Sequence, residues 1–483
     1  MALAAVLALA GCAAPGPKLL PLPLPNPDRA DDGSRTRLYD VDQNGAADYQ
    51  QTMDADGRVA ELRLDLDGDG AYELAVRRDA QRDLGGVPHL LIILDSIPFR
   101  LVRDQWLRGR FRLFHRPGRV ISTFPVMTDP ALDEFFGASP CAGLEALYYD
   151  GERLVSGFGG YARGGNTPWV SNVDYAIDPD LHVWAYFWPV PWNNHELGQI
   201  ERAFLQAPPA SYIGYTVSTS ALGAQHGRDG HEINLIRLDR MCEWIMYALR
   251  GRCEITLMSD HGHDLLRSRR VSLADQLVNV GYHVGRRLQR SGDVVVPEFG
   301  VVSVAAIHTH EPDSVARDVV GFEGVELAAY RDSSAVVVLS RTGRARITRC
   351  DGGYRYDCEF GDPLQLRGLL VGLADADGCY ADADLFEATK DHIYPDAIAR
   401  LWRGFNGLFV HTPDVLVSIA DGYHVGDKTL SEILDAESAH GSLRSSGSVG
   451  FVMSTVAGVG DTIRMQDLRD HLIEIGVRLD ERP

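Results

Sequence analysis

Two short runs of apolar residues along the chain each lead to an aspartate. The first run, 90–94, is followed by Asp95, and the second, 255–258, is followed by Ser259, Asp260 and His261. Short continuous runs of β-branched and aliphatic residues are typical of parallel strands that are buried on both faces. In open α/β sheets, ligands bind just beyond the carboxyl ends of such strands. The pattern therefore predicts that two carboxylates and an imidazole meet at one sheet edge.

The rest of the hydrophobic pattern predicts one main α/β domain over residues 84–483. Ser272 begins a capping-box sequence, which predicts a helix over 272–284. Apolar periodicity and turn signals further predict a strand over 301–307, a helix over 313–320, a hairpin over 335–349 and a last strand over 414–420. We expect the stretch from about 290 to 400 to be a subdomain inserted before this last strand.

Four stretches of the chain carry candidate chemistry, and they are the strand-end Asp95, the turn Phe124-Pro125-Val126-Met127-Thr128, Ser259 to Gly262, and His440 with Gly441. They resemble motifs of the alkaline phosphatase superfamily, in particular its type I phosphodiesterase and nucleotide pyrophosphatase branch. They stand in the order of that family, between about residues 88 and 455. An aspartate after a strand is usually a turn former, but four motifs in order are specific. The resemblance implies an α/β/α sandwich with a mostly parallel central sheet. The last three stretches match the "FPxxT", "SDHG" and "HG" motifs of that family, and Thr128 is the threonine of the first of these.

The resemblance also implies a role for each of these side chains. Thr128 corresponds to the nucleophile, and Asp95, Asp260 and His261 together with Thr128 correspond to the ligands of a first zinc ion. His440 corresponds to a ligand of a second zinc ion. A threonine hydroxyl is almost never ionised near neutral pH, and a bound metal lowers the pKa of an attached oxygen. Zinc would therefore activate the hydroxyl of Thr128.

The second zinc site departs from the family pattern, which is Asp-x-x-x-His after a strand and a tyrosine. In the matching stretch, Ser220 stands in place of the aspartate and Ala224 in place of the histidine. His226 would supply the missing imidazole if the loop is two residues longer, whereas Asp178 and His182 have the right spacing but precede the expected position. We therefore expect a complete first site and an impaired or rebuilt second site, with one or two zinc ions.

An acidic repeat occupies residues 35–80. Its two copies begin twenty-five residues apart, and each has oxygen-bearing side chains at loop positions 1, 3, 5 and 9 with a glycine at 6. This spacing matches the first half of an EF-hand calcium loop, although the glutamate of position 12 is absent. We expect two weak structural Ca²⁺ loops, and the alternative is a pair of solvated Asp/Gly turns. The expected ligands are Asp40, Asp42, Asn44, Asp48, Asp65, Asp67, Asp69 and Glu73.

The start of the chain resembles a bacterial lipoprotein signal. Residues 1–10 are apolar, too few to span a membrane, and lead into a lipobox-like Leu9-Ala10-Gly11-Cys12. We interpret 1–12 as a signal peptide with Cys12 as the lipidated residue, and the proline-rich 13–34 as a stiff tether. The expected location is the bacterial envelope, periplasmic or at the cell surface, with the lipid anchor as the membrane contact. Because a basic n-region is missing, a plain apolar start is the alternative.

The cysteine content also suits an oxidising compartment. Six cysteines remain when Cys12 is set aside, an even count that favours disulfides. Two of them flank a turn sequence and can meet across a hairpin. The expected pairs are Cys350–Cys358, Cys242–Cys253 and, by elimination, Cys141–Cys379.

The charge of the 483-residue chain excludes one class of partner. A formal net charge of −20 at pH 7 argues against binding a nucleic-acid duplex, whose phosphates need a basic surface. It does not exclude a small phosphate-ester substrate at a zinc ion, because the metal dominates the local field. We therefore predict a metal-dependent phosphoric ester hydrolase of the phosphodiesterase or nucleotide pyrophosphatase type. The alternatives are a phosphomonoesterase or phosphonate hydrolase, and a noncatalytic envelope-anchored binding protein with a degenerate metal site.

Overall fold

The computed structural model describes residues 15–25, 35–78, 86–144, 146–156, 167–178 and 181–479. The strands are β1 Thr36–Tyr39, β2 Tyr49–Met53, β3 Val59–Leu64, β4 Leu74–Arg77, β5 His89–Leu94, β6 Gly118–Ile121, β7 Leu147–Tyr149, β8 Leu154–Ser156, β9 Ser211–Thr216, β10 Glu254–Met258, β11 Arg269–Arg270, β12 His283–Val284, β13 Asp293–Val295, β14 Val301–Val302, β15 Val304–Thr309, β16 Val325–Asp332, β17 Ala335–Ser340, β18 Gly343–Cys350, β19 Gly353–Phe360, β20 Tyr380–Ala381, β21 Val415–Ile419, β22 Tyr423–Gly426, β23 Val449–Ser454 and β24 Thr462–Arg464. The helices are α1 Phe99–Leu107, α2 Thr128–Phe136, α3 His182–Phe187, α4 Pro189–Gln206, α5 Ser218–Ala248, α6 Leu273–Asn279, α7 Pro312–Val319, α8 Asp382–Thr389, α9 Ala397–Gly404, α10 Lys428–Ile433, α11 Ser445–Ser448 and α12 Met465–Glu474, with a 3₁₀ turn at Pro168–Asn172.

A six-stranded sheet forms the centre of the α/β domain, in the strand order β24-β6-β23-β10-β5-β9. β5 lies between β10 and β9 and is parallel to both. β24 is parallel to β6, whereas β23 is antiparallel to both of its neighbours. The sheet is therefore mixed but mostly parallel. The two apolar runs of the sequence form its adjacent strands β5 and β10.

Helices cover both faces of this sheet, and the residues of β5 alternate between two buried apolar clusters. Leu90 and Ile92 pack in one cluster with side chains of α1, α4 and α5. Leu91 and Ile93 pack in the other with side chains of α2, α3 and α12. Each residue of β5 is buried, which explains why the strand has no polar alternation. The result is a three-layer α/β/α arrangement.

The acidic repeat forms a separate antiparallel sheet of four strands, β1-β2-β3-β4. One acidic loop joins β1 to β2 and the other joins β3 to β4, so the two copies are successive hairpins. Tyr39, Tyr49 and Leu62 are buried in the same apolar cluster as one face of the central sheet. The Tyr49 ring packs edge-on against Tyr247 of α5, with centroids 5.2 Å apart. The repeat therefore packs on the α/β domain.

A second large sheet has nine strands in the order β12-β13-β15-β21-β16-β17-β18-β19-β20. The predicted hairpin over 335–349 forms β17 and β18 of this sheet. The strand predicted over 414–420 is β21, which lies between β15 and β16 of this sheet and not in the six-stranded sheet. An apolar run shows that a strand is buried but does not identify the sheet that it joins.

Two predicted elements have other bounds in the structure: a helix is shorter, and a strand is divided in two. α6 begins after Ser272, whose side chain accepts a hydrogen bond from the backbone N–H of Asp275. The helix ends at Asn279 and not at 284, since Gly281 adopts a left-handed conformation with φ +102°. The run 301–307 divides at Ser303 into β14 and β15, which belong to different sheets.

The disulfide in the described part of the chain joins Cys350 to Cys379, and the predicted pair Cys350–Cys358 was wrong. In the hairpin of β18 and β19, Cys350 lies opposite Gly353, whereas Cys358 lies opposite Ala345, several residues further along. Cys379 precedes β20, which pairs with the start of β19 and so brings Cys379 to Cys350. A disulfide is typical of an extracellular or envelope location. The other expected pairs do not form either, because the free thiols are Cys141, Cys242, Cys253 and Cys358.

The predicted signal peptide, including Cys12, lies outside the described residues. Residues 15–25 of the predicted tether lie against the α/β domain. Leu20 is fully buried, and its backbone N–H donates to the carbonyl of Arg240. The ammonium of Lys18 lies 5.1 Å from the ring centroid of Trp244. This part of the tether is therefore a docked segment.

Among the described residues, none of the helices combines the length and the apolar character that crossing a membrane requires.

Candidate active site

Asp95, Asp260 and His261 meet at the carboxyl edge of the six-stranded sheet. Asp95 follows β5 and the other two follow β10, and neighbouring parallel strands place their carboxyl ends side by side. One potential ligand atom from each residue lies within 4.8 Å of the others. His261 Nε2 is 3.3 Å from Asp260 Oδ2 and 3.8 Å from Asp95 Oδ1. The structure thus brings together the three side chains that follow the two apolar runs. We call Asp95, Asp260 and His261 the metal-ligand group, because they could share one metal ion.

Two buried carboxylates at this separation repel each other unless a cation compensates their charge. Burial raises the pKa of Asp95 well above its ordinary value, and the nearby Asp260 raises it further. Burial also raises the pKa of Asp260 and lowers the pKa of His261 to about 4. Asp260 Oδ2 is buried without a hydrogen-bond partner, which costs roughly 1–3 kcal/mol or more. Two carboxylates, one of them with an unsatisfied oxygen, and a neutral imidazole fit a divalent metal.

His261 and His440 are both held in the tautomer that leaves Nε2 free for a metal. The Nδ1–H of His261 donates to the carbonyl of Gly262 at 3.1 Å. The Nδ1–H of His440 donates to the carbonyl of Val126 at 3.0 Å. A carbonyl oxygen can only accept, so each Nδ1 carries the proton and each Nε2 presents a lone pair. The two rings stack with their centroids 4.3 Å apart, which places His440 directly beside the metal-ligand group.

Two hydroxyl groups orient the carboxylate of Asp95. Ser96 Oγ donates to Asp95 Oδ1 at 2.6 Å, and the hydroxyl of Tyr215 donates to Asp95 Oδ2 at 2.7 Å. Tyr215 comes from β9, the strand on the other side of β5. Hydrogen bonds of this kind fix the direction of a metal-binding carboxylate. The ligand set is therefore held by elements on both sides of β5.

Thr128 is the first residue of α2 and lies at the edge of the metal-ligand group. Its Oγ1 is 3.4 Å from His261 Nε2. Thr128 is half-buried and lines a cavity of about 180 Å³. The N-terminal end of a helix carries partial positive charge, which favours negative charge on this oxygen. A hydroxyl in this position can act as a nucleophile when a metal or base activates it.

The positions of the second zinc site offer few ligand atoms. Ser220 Oγ hydrogen bonds with Ser96 Oγ and with the Tyr186 hydroxyl, each at 3.0 Å. Ala224 presents only a methyl group to the cavity. His226 is exposed and is not among the described residues that line the cavity. The segment is helical here and not a longer loop, and two residues along a helix turn a side chain by about 200°. The structure therefore does not bring His226 to the site.

The alternative pair, Asp178 and His182, is not brought together with the metal-ligand group either. Asp178 is exposed. His182 lines the cavity, but its Nε2–H donates to the carbonyl of Ile177 at 3.2 Å. Among the described residues, Asp95, Asp260 and His261 are the group of three or more His, Cys, Asp or Glu side chains at this edge that could share one metal ion.

The sequence reasoning missed two cavity residues that stand next to its motifs. His263 follows the "SDHG" stretch directly, and its ring centroid is 5.5 Å from that of His440. Asp129 follows Thr128 and accepts a hydrogen bond from Trp169 Nε1 at 2.8 Å. Burial raises the pKa of Asp129 to about 7. Adjacency to a motif was the available signal for both residues.

The acidic loops gather carboxylates away from this site. In the first loop, the Asp40 carboxylate accepts hydrogen bonds from the backbone N–H groups of Asn44 and Gly45 at 3.1 and 3.0 Å. In the second loop, Asp65 accepts from Gly68 and Gly70 at 2.7 and 2.8 Å. Backbone donors of this kind also occur in plain Asp/Gly turns. The side chains close enough to share a cation are Asp40, Asp42 and Asp48 in one loop and Asp65, Asp67, Asp69 and Glu73 in the other.

Of the comparisons with known proteins, the one with solved structures found similar chains. No protein-family model matches the chain, and no curated protein sequence matches it. The solved structures with a similar backbone include two of murine ectonucleotide pyrophosphatase/phosphodiesterase 5. One is an inactive form in complex with AMP, with 10% identity and a TM-score of 0.44, and the match covers 82% of this chain and 97% of that chain. The other has 11% identity and a TM-score of 0.43, with 82% and 97% of the two chains covered.

Proposed function

We propose that the protein is a metal-dependent hydrolase of phosphoric esters that uses Thr128 as its nucleophile. The observation that carries this proposal is the meeting of Asp95, Asp260 and His261 beside the hydroxyl of Thr128. The order of the four motifs along the chain supports the same reaction by resemblance. The proposed metal is zinc.

The side chains have separate tasks in the proposed reaction. Asp95, Asp260 and His261 would hold a divalent metal, which when bound polarises a phosphoryl oxygen and lowers the pKa of a nearby hydroxyl. Thr128 Oγ1 attacks phosphorus, loses its proton and releases the alcohol of the ester. Water then cleaves the resulting phosphothreonine and restores the hydroxyl. The positive end of α2 favours the negative charge that develops on Thr128.

The lining of the cavity favours a phosphodiester over a phosphomonoester. Among the described residues that line it, none is lysine or arginine, whereas Asp95 and Asp129 are acidic. A phosphomonoester carries about −1.5 to −2 charges at pH 7 and is usually bound by cationic side chains. A diester carries one charge, which a single metal compensates more fully. The apolar wall, which includes Trp169 and Leu430, suits an organic ester group.

The proposal predicts that the zinc-loaded protein hydrolyses bis(4-nitrophenyl) phosphate with a higher kcat/KM than 4-nitrophenyl phosphate. Nitrophenol release before and after chelation, and after zinc is restored, measures the reaction and its metal dependence. A higher kcat/KM for the monoester would favour the phosphomonoesterase alternative. Absence of turnover with either ester in the loaded protein would favour the noncatalytic binding protein, to which the missing ligands at Ser220 and Ala224 point.

We also propose that the two acidic loops bind Ca²⁺ and brace the N-terminal sheet. Binding to the folded form alone raises stability by RT ln(1 + [L]/Kd), about 2.7 kcal/mol at a hundredfold excess over Kd. Chelation should therefore make residues 35–80 sensitive to protease while the α/β domain survives. Asp65→Asn should reproduce this loss in the presence of Ca²⁺, whereas Asp56→Asn, an exposed residue of the turn between β2 and β3, should not. Equal cleavage with and without Ca²⁺ would identify plain solvated turns.

Location forms a further part of the proposal. A lipid anchor at Cys12 and a periplasmic or cell-surface position rest on the lipobox resemblance. The disulfide between Cys350 and Cys379 favours an oxidising compartment. A small phosphate ester in that compartment would reach the cavity without crossing the membrane.

A further inference from the structure

Four histidine rings form a continuous row that begins at the candidate active site. His261 stacks on His440 with centroids 4.3 Å apart, and the ring of His440 is 5.5 Å from that of His263. The ring of His263 is in turn 5.2 Å from that of His231. His231, His261 and His263 are buried, and His440 is half-buried at the cavity. The proposed reaction uses neither His263 nor His231.

Two glycines of α5 lie near the last two rings of the row, those of His263 and His231. A Cβ atom on Gly223 would lie 2.1 Å from His231 Nε2 and 2.4 Å from His263 Nδ1, so a larger residue there would displace both rings. Gly227 breaks the helical geometry inside α5, with φ 52° and ψ −133°, and His231 follows one turn later. The imidazole pair therefore packs against Gly223, the residue before Ala224, and both Ala224 and His263 line the cavity.

The contact between the two rings determines which nitrogen of the pair is free. His231 Nε2 and His263 Nδ1 are 3.1 Å apart, so one of them donates a proton to the other. His263 and His440 line the cavity, and His231 is not among its described lining residues. His263 Nε2 is therefore the nitrogen of this pair that a ligand in the cavity can reach. His440 Nε2 is free as well, because the Nδ1–H of His440 donates to Val126.

We propose that His263 and His440 are the protein ligands of a second divalent metal, and that His231 is a positioning residue for His263. In the metal-binding tautomer, the Nδ1–H of His263 donates to His231 Nε2, which leaves the lone pair on His263 Nε2. A metal-bound histidine almost always donates its other ring N–H to an acceptor, usually a carboxylate, a backbone carbonyl or water, and here His231 Nε2 would be that acceptor. His263 then supplies the imidazole that Ala224 does not, from a different element of the fold.

A site with two neutral imidazoles and no carboxylate has a distinct metal preference. Imidazole nitrogen suits zinc, nickel and copper, whereas magnesium and calcium prefer oxygen ligands. Without a charged ligand, this site should bind more weakly than the group of Asp95, Asp260 and His261. It should therefore fill after the first site, with Zn²⁺ or Ni²⁺ but not with Mg²⁺.

Calorimetric titration with NiCl₂ tests this site in protein that has been loaded with zinc and then dialysed until about one zinc per chain remains. Excess Ca²⁺ in the buffer keeps the acidic loops out of the titration, and the zinc content afterwards shows whether nickel has displaced the first metal. We expect one additional Ni²⁺ per chain in the unmodified protein and at least tenfold weaker binding in His263→Gln. His231→Gln should weaken binding by about 10–100-fold, the range for outer partners of metal ligands. His226→Gln is the matched control, an exposed imidazole on the same helix, and should change nothing.

The titration contains no substrate, so its outcome is independent of whether the protein hydrolyses esters. The absence of an additional Ni²⁺ in the unmodified protein, or unchanged affinity in His263→Gln, would overturn the proposal. Loss of the site in His226→Gln would overturn it in favour of His226. If circular dichroism shows that His263→Gln does not fold, pulsed EPR of Cu²⁺ bound at the second site of the unmodified protein decides. Couplings to two imidazoles are expected, and one or none would refute the assignment.

Discussion

Replacing Thr128 by alanine is expected to lower kcat for a phosphodiester by several orders of magnitude while the protein stays folded. Loss of a hydrolase nucleophile costs roughly 10⁴–10⁶ in kcat. The fold should survive, because the side chain is half-buried at a cavity and the helix cap is Met127, not Thr128. The measurement is kcat with bis(4-nitrophenyl) phosphate, with zinc content and circular dichroism recorded on the same sample.

Two further variants separate loss of the nucleophile from damage to the loop. Thr128→Ser keeps a hydroxyl at the same place and should retain measurable turnover. Thr123→Ala removes a buried hydroxyl of the same loop, which donates to the carbonyl of Pro125 at 2.9 Å and does not face the metal-ligand group. That change should cost about 1 kcal/mol of stability and alter kcat only a few-fold. A Thr128→Ala protein that keeps more than a tenth of the original kcat would refute the nucleophile assignment.

The sheet edge of the candidate site was predictable because it depends on short, strongly apolar strands. The runs before Asp95 and Asp260 are typical of buried parallel strands. When two such strands are neighbours, their carboxyl ends lie side by side. The strand over 415–419 is just as apolar, yet it joins the other sheet. The apolar pattern thus predicts that a strand exists and is buried, whereas the strands with which it pairs depend on contacts between residues distant in sequence.

Side-chain contacts that depend on strand register or on the backbone angles of one residue could not be predicted from the sequence. Cys350 pairs with Cys379 because of the alignment of three strands, which the spacing of cysteines does not reveal. His231, which contacts His263, lies one turn after Gly227, the residue at which α5 departs from helical geometry. A glycine in a helical pattern does not by itself indicate whether the helix bends there. The most specific candidate feature of the second site therefore came from the structure.

Asp260→Asn is expected to abolish tight zinc binding. Asp260 supplies one of two carboxylates in the ligand group, and an amide carries no compensating charge. We expect the unmodified protein to keep about one zinc per chain through dialysis, and the variant to keep almost none. Asp129→Asn is the matched control, because Asp129 lines the same cavity but lies outside the ligand group. Zinc retention in Asp260→Asn equal to that of the unmodified protein would remove Asp260 from the metal site.

The same substitution should have the opposite effect on the stability of the metal-free protein. Burial raises the pKa of Asp260, so its folded form binds a proton at pH values where the unfolded carboxyl is ionised. Its contribution to stability is therefore present below the ordinary carboxyl pKa and is lost as the pH rises through the raised value. Asparagine has no such loss, so metal-free Asp260→Asn should unfold at a higher temperature than the unmodified protein at neutral pH, and the difference should shrink on acidification. Added zinc should reverse the order, because only the unmodified protein gains binding free energy. Thermal unfolding of both proteins with and without zinc measures this reversal, and an equal rise in Tm on adding zinc to the two proteins would show that Asp260 does not hold the metal.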